Sequence, residues 1–492
     1  TGDGNYTGLV GLGALESVKT GYMGFKDETI KVSGGTFSNA VLPEYCADGF
    51  VPTQNTDGTY GVKVDTSVAE VNGTKYESLA DAFTAASAGD TIKLLADINT
   101  PTTSYAIRKS LTIDLNGQTI TADGYDSVFA IEGEGNHVVI NATNGGNKVI
   151  AVENSGSAGK YAMAVWLAGK DSTLTINGGE FSQKITHTDD KQMDMIYTSK
   201  GVITINGGTF HSGTPKWTLN IKDGAYKDGS ANIIVNGGTF VGYDPRNAEN
   251  EGKGTSLVAE GVGINKDADG NFTAVPNMAA QIVDADGNSV AAYAGHYDAI
   301  AAAKDGETVI LLSDCKNFVT NTINANITID LNGKTLSFGN SFPYFRTNGE
   351  VTIQNGTITS DSACAIVNAY NKLTLKNVKI TGVTGRDGKN LVNVCSNAEV
   401  TIDKDTVLTA NGSSGAAVFI GQDGQDADAK YTLNVYGKVT QNGKSYAISG
   451  NGSYKSTTTI NIYDGAEVKS PDCVAMYQPQ AGEINIFGGL VE

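Results

Sequence analysis

Proline, cysteine, histidine and charge are all scarce in this chain of 492 residues. There are 9 Pro, 5 Cys and 4 His, and charged residues make up 18% of the sequence. The cysteines are scattered, odd in number and form no Cys-x-x-Cys pair, so neither a zinc site nor a disulfide framework is indicated. Because the hydrophobic content is 40%, the sequence is not that of a disordered chain.

Basic residues are outnumbered by acidic ones. The 35 Lys and Arg stand against 53 Asp and Glu, which gives a net charge of −18. Such a surface repels phosphate backbones and anionic lipid, so nucleic acid is not an expected partner. No apolar run is long enough to predict membrane insertion in this segment. The chain starts at Thr1 and not at Met, and we expect it to be a piece of a larger mature protein.

Glycine is abundant, with 61 residues, and many of these lie in one recurring motif. Near-identical copies are LTINGGEF at Leu174–Phe181, ITINGGTF at Ile203–Phe210 and IVNGGTF at Ile234–Phe240. Related runs recur at intervals of about 22 to 36 residues. A fixed period of one strand and one turn predicts repeats that stack on one another. Asn and Gly suit the corner because both tolerate positive φ.

Alternation of apolar and polar residues predicts the strands of this stack. The predicted strands include Leu111–Leu115, Val138–Ile140, Leu174–Ile176, Ile203–Ile205, Ile233–Val235, Ile327–Leu331, Val351–Ile353, Leu373–Leu375, Val400–Ile402, Leu433–Val435, Ile460–Ile462 and Ile484–Ile486. In most of these strands apolar residues alternate with Thr, Asn or Asp, so one face is expected in the core and the other in water. Two or three short strands per repeat predict an all-β fold, a parallel β-helix.

A longer segment occurs twice and divides the chain. In each copy an Asp-Gly turn predicts a hairpin, and an apolar periodicity predicts a short helix that Gly89 or Gly306 would end. Such a helix can cover the open end of a stack. The predicted domains are the last repeat and hairpin of a preceding module at 1–64, a module at 65–278 with a capping helix near 76–87, and a second module at 279–492 with a capping helix near 296–304.

Together these motifs resemble a known family. The helix and strand at Tyr76–Leu95, followed by Ile-Asn-Gly-Gly-Thr-Phe repeats, are similar to the right-handed parallel β-helix of the pectin-lyase-like superfamily. The hairpin at Asn55–Tyr60 between repeat units looks like the tandem modules of large surface proteins of gut-type anaerobic bacteria. The resemblance implies tandem right-handed parallel β-helices and a secreted or cell-surface location. It implies no single activity, because this fold carries lyases, hydrolases, adhesins and phage tailspikes.

Candidate site residues are few. The enzymes of that superfamily use Asp residues with an Arg or Lys base, or three Asp residues with a Gly-His-Gly, and the sequence contains neither pattern. One acidic loop offers Asp189, Asp190 and Asp194 as catalytic candidates, because paired carboxylates can act on a glycosidic bond. Trp166, about one repeat earlier, and His187 are candidate ligand-binding residues.

Metal binding is a weaker alternative. The Asp-rich turns at Asp267, Asp269, Asp284 and Asp286 are candidate Ca²⁺ ligands, although none supplies a full EF-hand set. Because Asp-Gly is also the favoured turn of a two-residue hairpin, no cofactor is expected, with Ca²⁺ left open.

Two main functions remain as hypotheses. The first is a non-catalytic extracellular or adhesin-like module that binds a host or bacterial glycan or surface protein, or acts as a stalk with further copies of the module. The alternative is a carbohydrate-active enzyme, either a polysaccharide lyase or a glycoside hydrolase. A third hypothesis, a phage tail fibre or spike, would predict a trimer. Since no convergent catalytic set is visible in the sequence, the non-catalytic role is favoured and the enzyme question stays open.

Overall fold

The computed structural model describes residues 31–100, 104–123, 126–153, 161–186, 193–339, 344–421, 428–451 and 456–492. Over these residues the protein is all-β with long parallel sheets, 7% helical and 47% strand. It divides into two compact units. The smaller contains Thr1–Ala86 and Asp90–Asp97, and the larger contains Ser87–Gly89 and Ile98–Glu492.

The described part of the smaller unit is built from antiparallel strand pairs, one α-helix and one 3₁₀ turn. Its strands are Phe50–Gln54, Tyr60–Val64, Ala69–Val71, Thr74–Tyr76 and Thr91–Leu94; its helices are the 3₁₀ turn Pro43–Tyr45 and the α-helix Leu79–Ala85. Phe50–Gln54 and Tyr60–Val64 form the predicted hairpin. Ser78 caps the α-helix by accepting a hydrogen bond from the backbone N–H of Asp81, which satisfies one of the unpaired donors of the first turn.

The larger unit begins with three parallel sheets, which we call the first sheet segment (residues 98–241). Sheet A contains Leu111–Asp114, His137–Asn141, Thr173–Ile176, Gly201–Ile205 and Ala231–Val235. Sheet B contains Ile98–Thr100, Thr119–Asp123, Lys148–Val152, Glu180–Lys184, Thr209–His211 and Gly238–Val241. Sheet C contains Tyr105–Ile107, Ser127–Ile131, Met163–Leu167, Ile196–Thr198 and Leu219–Ile221. The segment also holds the α-helix Asp223–Asp228 and the 3₁₀ turn Pro215–Trp217.

Equivalent residues of successive repeats lie side by side in these sheets. Phe181, Phe210 and Phe240 are in register on sheet B, are fully buried, and stack with ring centroids 5.2 and 5.0 Å apart. Stacked rings contribute beyond the area they bury. The repeated Phe of the motif therefore forms a stack of three buried rings, which continues a row of aliphatic side chains on the earlier strands of sheet B.

The repeated Asn of the motif forms a ladder on the surface. Asn177 donates through Nδ2 to Oδ1 of Asn141 at 2.8 Å, Asn206 donates to Asn177 at 2.8 Å, and Asn236 donates to Asn206 at 2.9 Å. Each inner amide therefore uses both its donor and its acceptor within the ladder.

Two hairpins connect the first sheet segment to the next one. Their strands are Gly263–Lys266 with Asn271–Val275, and Ala280–Val283 with Ser289–Tyr293; the 3₁₀ turn Glu249–Glu251 precedes them and the α-helix His296–Ala302 follows. The first hairpin pairs with Gly238–Val241 and the second with Thr308–Leu311. Between the hairpins, the fully buried amide of Gln281 accepts from the N–H of Ile264 and donates to its carbonyl oxygen.

The second sheet segment (residues 308–491) repeats the arrangement in two sheets. Sheet D contains Thr308–Leu311, Cys315–Phe318, Ile327–Asp330, Thr335–Phe338, Val351–Ser360, Lys372–Gly382, Glu399–Ile402, Val407–Ala410, Lys430–Val435, Lys438–Gln441, Thr457–Ile462, Glu467–Lys469, Ala481–Ile486 and Leu490–Val491. Sheet E contains Asn321–Ile323, Phe345–Thr347, Val367–Ala369, Val392–Val394, Val418–Ile420, Ile448–Gly450 and Met476–Tyr477. All strand pairs within this segment are parallel over the described residues.

The predicted helix stop at glycine is wrong. The second helix ends at Ala302, and Ala303 leaves it in an extended conformation with its N–H bonded to the carbonyl oxygen of Ala299. Gly306, with φ +82°, lies three residues further on, where its N–H donates to Asn326. The left-handed glycine therefore serves the turn into Thr308–Leu311 rather than the helix end.

Candidate ligand-binding site

One row of side chains on sheet C combines aromatic and amide groups. Trp166 lies in register between Ala130 and Tyr197, and Tyr197 is in register with Asn220 on the next strand. Neighbouring strands are about 4.8 Å apart, so the indole, the phenol and the amide follow one another across the sheet. Trp166 and Tyr197 are partly exposed, and the indole Nε1 donates to Oγ of Ser199 at 3.1 Å.

Asp194 lies at the buried end of this row. Its Oδ1 accepts a hydrogen bond of 3.0 Å from Nδ2 of Asn220, and the two residues are 9% and 5% exposed. A hydrogen bond to a charged acceptor inside a protein is stronger than a neutral one. Asp194 therefore fixes the orientation of the Asn220 amide beside Tyr197.

Gln183 holds the chain that carries Asp194. Its Nε2 lies 2.9 to 3.0 Å from the carbonyl oxygens of Ala162, Met193 and Asp194. Its Oε1 accepts from Oγ of Ser212 at 2.7 Å and from the next N–H along the chain at 3.1 Å. One side chain thus ties together three separate segments of the backbone, and it fixes the position of Asp194.

Two further carboxylates approach the last strand of sheet C. Glu251 accepts a hydrogen bond of 2.9 Å through Oε1 from the N–H of Ile221, and Asp223 starts the short helix two residues after that strand. Burial raises the pKa of Glu251, the neighbouring Asp223 raises it further, and the hydrogen bond from Ile221 opposes both. Among the described residues neither Glu251 nor Asp223 forms an ion pair.

Tyr197 lies in the field of all three carboxylates. Burial raises the pKa of its phenol, and Asp194, Asp223 and Glu251 each raise it further. We call Trp166, Asp194, Tyr197, Asn220, Asp223 and Glu251 the Tyr197 cluster. It joins partly exposed aromatic rings, a fixed amide and negative charge, which are groups that recognise polar ligands with an apolar face.

Two buried oxygens beside Glu251 have no hydrogen-bond partner. The hydroxyl of Tyr243, a residue only 5% exposed, is one of them, and Oδ1 of Asn250 is the other. Burial raises the pKa of Tyr243 strongly, and the charge of Glu251 adds to it. Since buried polar atoms are nearly always paired, a water molecule or another polar group from outside the chain fits beside these two oxygens.

The structure brings together two of the residues chosen from the sequence. Trp166 and Asp194 belong to the Tyr197 cluster, at opposite ends of the row. Asp189, Asp190 and His187 lie outside the described residues, so their roles remain predictions. Sequence reasoning missed Asn220 and Glu251, because neither belongs to a repeated motif.

The Ca²⁺ candidates lie in hairpin turns. Asp267 accepts hydrogen bonds from the N–H groups of Asp269 and Asn271 and from the Asn271 amide. Asp284 accepts the same set from Asp286 and Asn288. These hydrogen bonds stabilise the two hairpin turns. In the part of the chain that the structure describes, no group of three or more His, Cys, Asp and Glu residues is arranged to hold a metal ion.

The Gly-Gly corners form an open groove of about 440 Å³, whose lining includes Gly179, Gly208, Gly238, Thr209 and Thr239. A Cβ at Gly208 would lie 2.8 Å from the carbonyl oxygen of Gly179, and one at Gly238 would lie 3.1 Å from that of Gly208. The glycines are therefore required by the close approach of successive corners. The packing of the corners is enough to explain why these positions are glycine.

No helix within the described ranges is long and apolar enough to span a membrane. Four of the five cysteines, Cys46, Cys315, Cys364 and Cys395, are buried, as expected for small apolar side chains. Comparison of the chain with protein-family models, with curated proteins and with solved structures gives no match.

Proposed function

We propose that the chain consists of tandem right-handed parallel β-helices, similar to the pectin-lyase-like superfamily, and that it acts as a non-catalytic glycan-binding module outside the cell. The modules would span 65–278 and 279–492, with the end of another at 1–64. The in-register parallel sheets on both sides of the hairpin connection support this architecture. A bacterial cell surface, reached through further modules of the same chain, is the proposed location.

The row of Trp166, Tyr197 and Asn220 is the observation that carries the binding proposal. Sugar rings present C–H groups on their faces and hydroxyls at their edges. Partly exposed aromatic rings can pack against the faces, while the exposed carboxylate of Asp223, which follows the last strand of the row, can accept hydrogen bonds from the edges. We therefore place the glycan along sheet C, across the strands.

Intrinsic fluorescence tests this placement directly. The chain has two Trp residues, Trp166 and Trp217, so Trp217→Phe leaves Trp166 as the single reporter. Titration with a glycan identified on an array should change the emission of this variant. Trp166→Ala should weaken binding by about tenfold or more, as loss of an aromatic anchor does, while Trp217→Phe should bind like the native protein. Unchanged affinity of Trp166→Ala would disprove the site.

A carbohydrate-active enzyme is the second candidate, and Glu251 is the observation that favours it. A carboxyl group whose pKa is raised by burial can act as a general acid, and a second carboxylate near it can act as base or nucleophile. Asp194 is the proposed partner. A reducing-sugar assay on the bound glycan decides between the two functions. Release of sugar ends that is lost in both Asp194→Asn and Glu251→Gln would establish the enzyme.

Two smaller questions have their own measurements. Binding that persists in EGTA would show that Ca²⁺ at Asp267 or Asp284 is not required.

A monomeric mass in solution would exclude the tail-fibre alternative, which predicts a trimer, and would leave the surface-module proposal in place.

A further inference from the structure

The Tyr197 cluster collects negative charge around a single strand from three separate positions. Asp194 bonds the side chain of Asn220, Glu251 bonds the backbone of Ile221, and Asp223 follows the strand directly. Lys200 and Lys222 flank the same strands and are exposed, as Asp223 is. Of the described residues, none gives a positive charge that pairs with Asp223 or Glu251.

Two oxygens beside Glu251 without a partner can also accept hydrogen bonds, although the Tyr243 hydroxyl can donate too. Asn250 already uses its Nδ2, which donates to the carbonyl oxygen of Lys216 at 2.6 Å, so Oδ1 is the atom left over. The Tyr243 hydroxyl is also without a partner. An ammonium group has three donors and no acceptor, and it is attracted to the faces of Trp and Tyr rings. A protonated amine therefore matches the carboxylates, the unpartnered amide oxygen of Asn250 and the aromatic row.

From this match we propose that the Tyr197 cluster binds the ammonium group of a glycan that carries free amines, such as a 2-amino sugar. The proposal rests on the glycan binding proposed above and adds the class of sugar. A uronic acid or another anionic sugar would face Asp223 and Glu251 as like charges, at a cost in affinity. The net charge of −18 acts against anionic glycans in the same direction.

Three oligosaccharides of equal length separate the effect of the amine from that of the sugar. A deacetylated chito-oligosaccharide carries an amine at C2, its N-acetylated form carries an acetamide there, and a cello-oligosaccharide carries a hydroxyl. Each is titrated into Trp217→Phe at a pH where the amine is protonated, and Trp166 emission is followed. We expect the amine form to bind at least about tenfold more tightly than the other two. Raising the salt from about 0.05 M to about 0.5 M should reduce this preference.

Charge-neutral variants test whether Asp223 and Glu251 cause the preference for the amine form of the sugar. Asp223→Asn combined with Glu251→Gln keeps the size of both side chains and should bring the amine preference close to one. The matched control is Glu350→Gln with Glu483→Gln, two exposed residues of the second sheet segment, which changes the net charge equally and should keep the preference.

The outcomes separate this inference from the proposed function. Equal binding of the amine and hydroxyl forms would overturn the inference and leave glycan binding intact. Equal losses in the site variant and its control would also overturn it, because the whole surface charge would then be responsible. If the emission of Trp166 changes with none of the three sugars, nor with any glycan of an array, the proposed function fails and the inference falls with it.

Discussion

The carboxylate of Asp244 holds Ser289, 45 residues later in the chain, through two hydrogen bonds. Oδ2 accepts from the N–H of Ser289 at 2.7 Å, and Oδ1 lies 3.2 Å from its Oγ. Both residues are buried, at 8% and 1% exposure. Asp244 follows the last strand of the first sheet segment and Ser289 belongs to the second hairpin, so this contact ties the first segment to the connection.

Removal of this carboxylate should weaken the connection. Asp244→Ala leaves the N–H of Ser289 buried without an acceptor, and we expect a loss of about 2–3 kcal/mol in the free energy of unfolding. Urea unfolding followed by circular dichroism measures it. Asp244→Asn keeps an acceptor of the same shape and should lose clearly less. An unfolding curve of Asp244→Ala that superimposes on that of the native protein would contradict the prediction.

Gly207 should not tolerate a methyl group. A Cβ at this position would lie 2.8 Å from the carbonyl oxygen of Asn177 in the preceding repeat, and the backbone there is held by the sheet and the asparagine ladder. We expect Gly207→Ala to cost about 1–3 kcal/mol. A Cβ at Gly224, in the short helix, would have no atom within 4 Å. Gly224→Ala should therefore be neutral or stabilising by up to about 1 kcal/mol. Equal changes in the free energy of unfolding for Gly207→Ala and Gly224→Ala would refute the steric argument.

Gln183 should matter for both stability and ligand binding. Gln183→Leu keeps the volume but removes the donor shared by the carbonyl oxygens of Ala162, Met193 and Asp194, so we expect a loss of at least about 2 kcal/mol. Because Asp194 lies on the segment that Gln183 holds, affinity for the glycan should also fall. Thermal unfolding and the Trp166 titration measure the two effects. Gln354→Leu, which removes a single bond to Asp330, is the control and should keep native affinity.

The pH dependence of stability should report Glu251. Burial and Asp223 raise the pKa of this carboxyl, so the folded protein keeps a proton at pH values where the unfolded chain has released it. Stability from this group is therefore present below the ordinary Glu pKa and is lost as pH rises through the raised one. Glu251→Gln cannot titrate, so its melting temperature should fall less than that of the native protein between pH of about 4 and about 7. Parallel curves for the two proteins would argue against a raised pKa.

Much of the sheet structure could be predicted from the sequence. The alternating runs at 174–176 and 203–205 lie within strands Thr173–Ile176 and Gly201–Ile205 and pair in register, because period-two alternation and a fixed repeat leave few other arrangements. The helix at Asp223–Asp228 was not predicted. Six residues are too short a stretch to show a helical period.

The candidate site was only partly predictable for a related reason. Trp166 and Asp194 stand out by residue type, whereas Gln183 occupies an ordinary polar position in a strand. Its five partners lie 10 to 30 residues away, and Glu251 is 30 residues from the N–H that it accepts. Such contacts depend on loops that occur once, and a repeat pattern contains no information about them.

The asparagine ladder has a consequence for how the length of this protein can change. Each inner Asn, such as Asn177 or Asn206, donates to the preceding repeat and accepts from the following one. A duplicated or deleted repeat would restore the same bonds on both sides of the new junction. Gene duplication within the frame of one repeat is therefore structurally inexpensive. The loops that build the Tyr197 cluster have no such freedom, so evolutionary variation in length should be concentrated in the regular repeats.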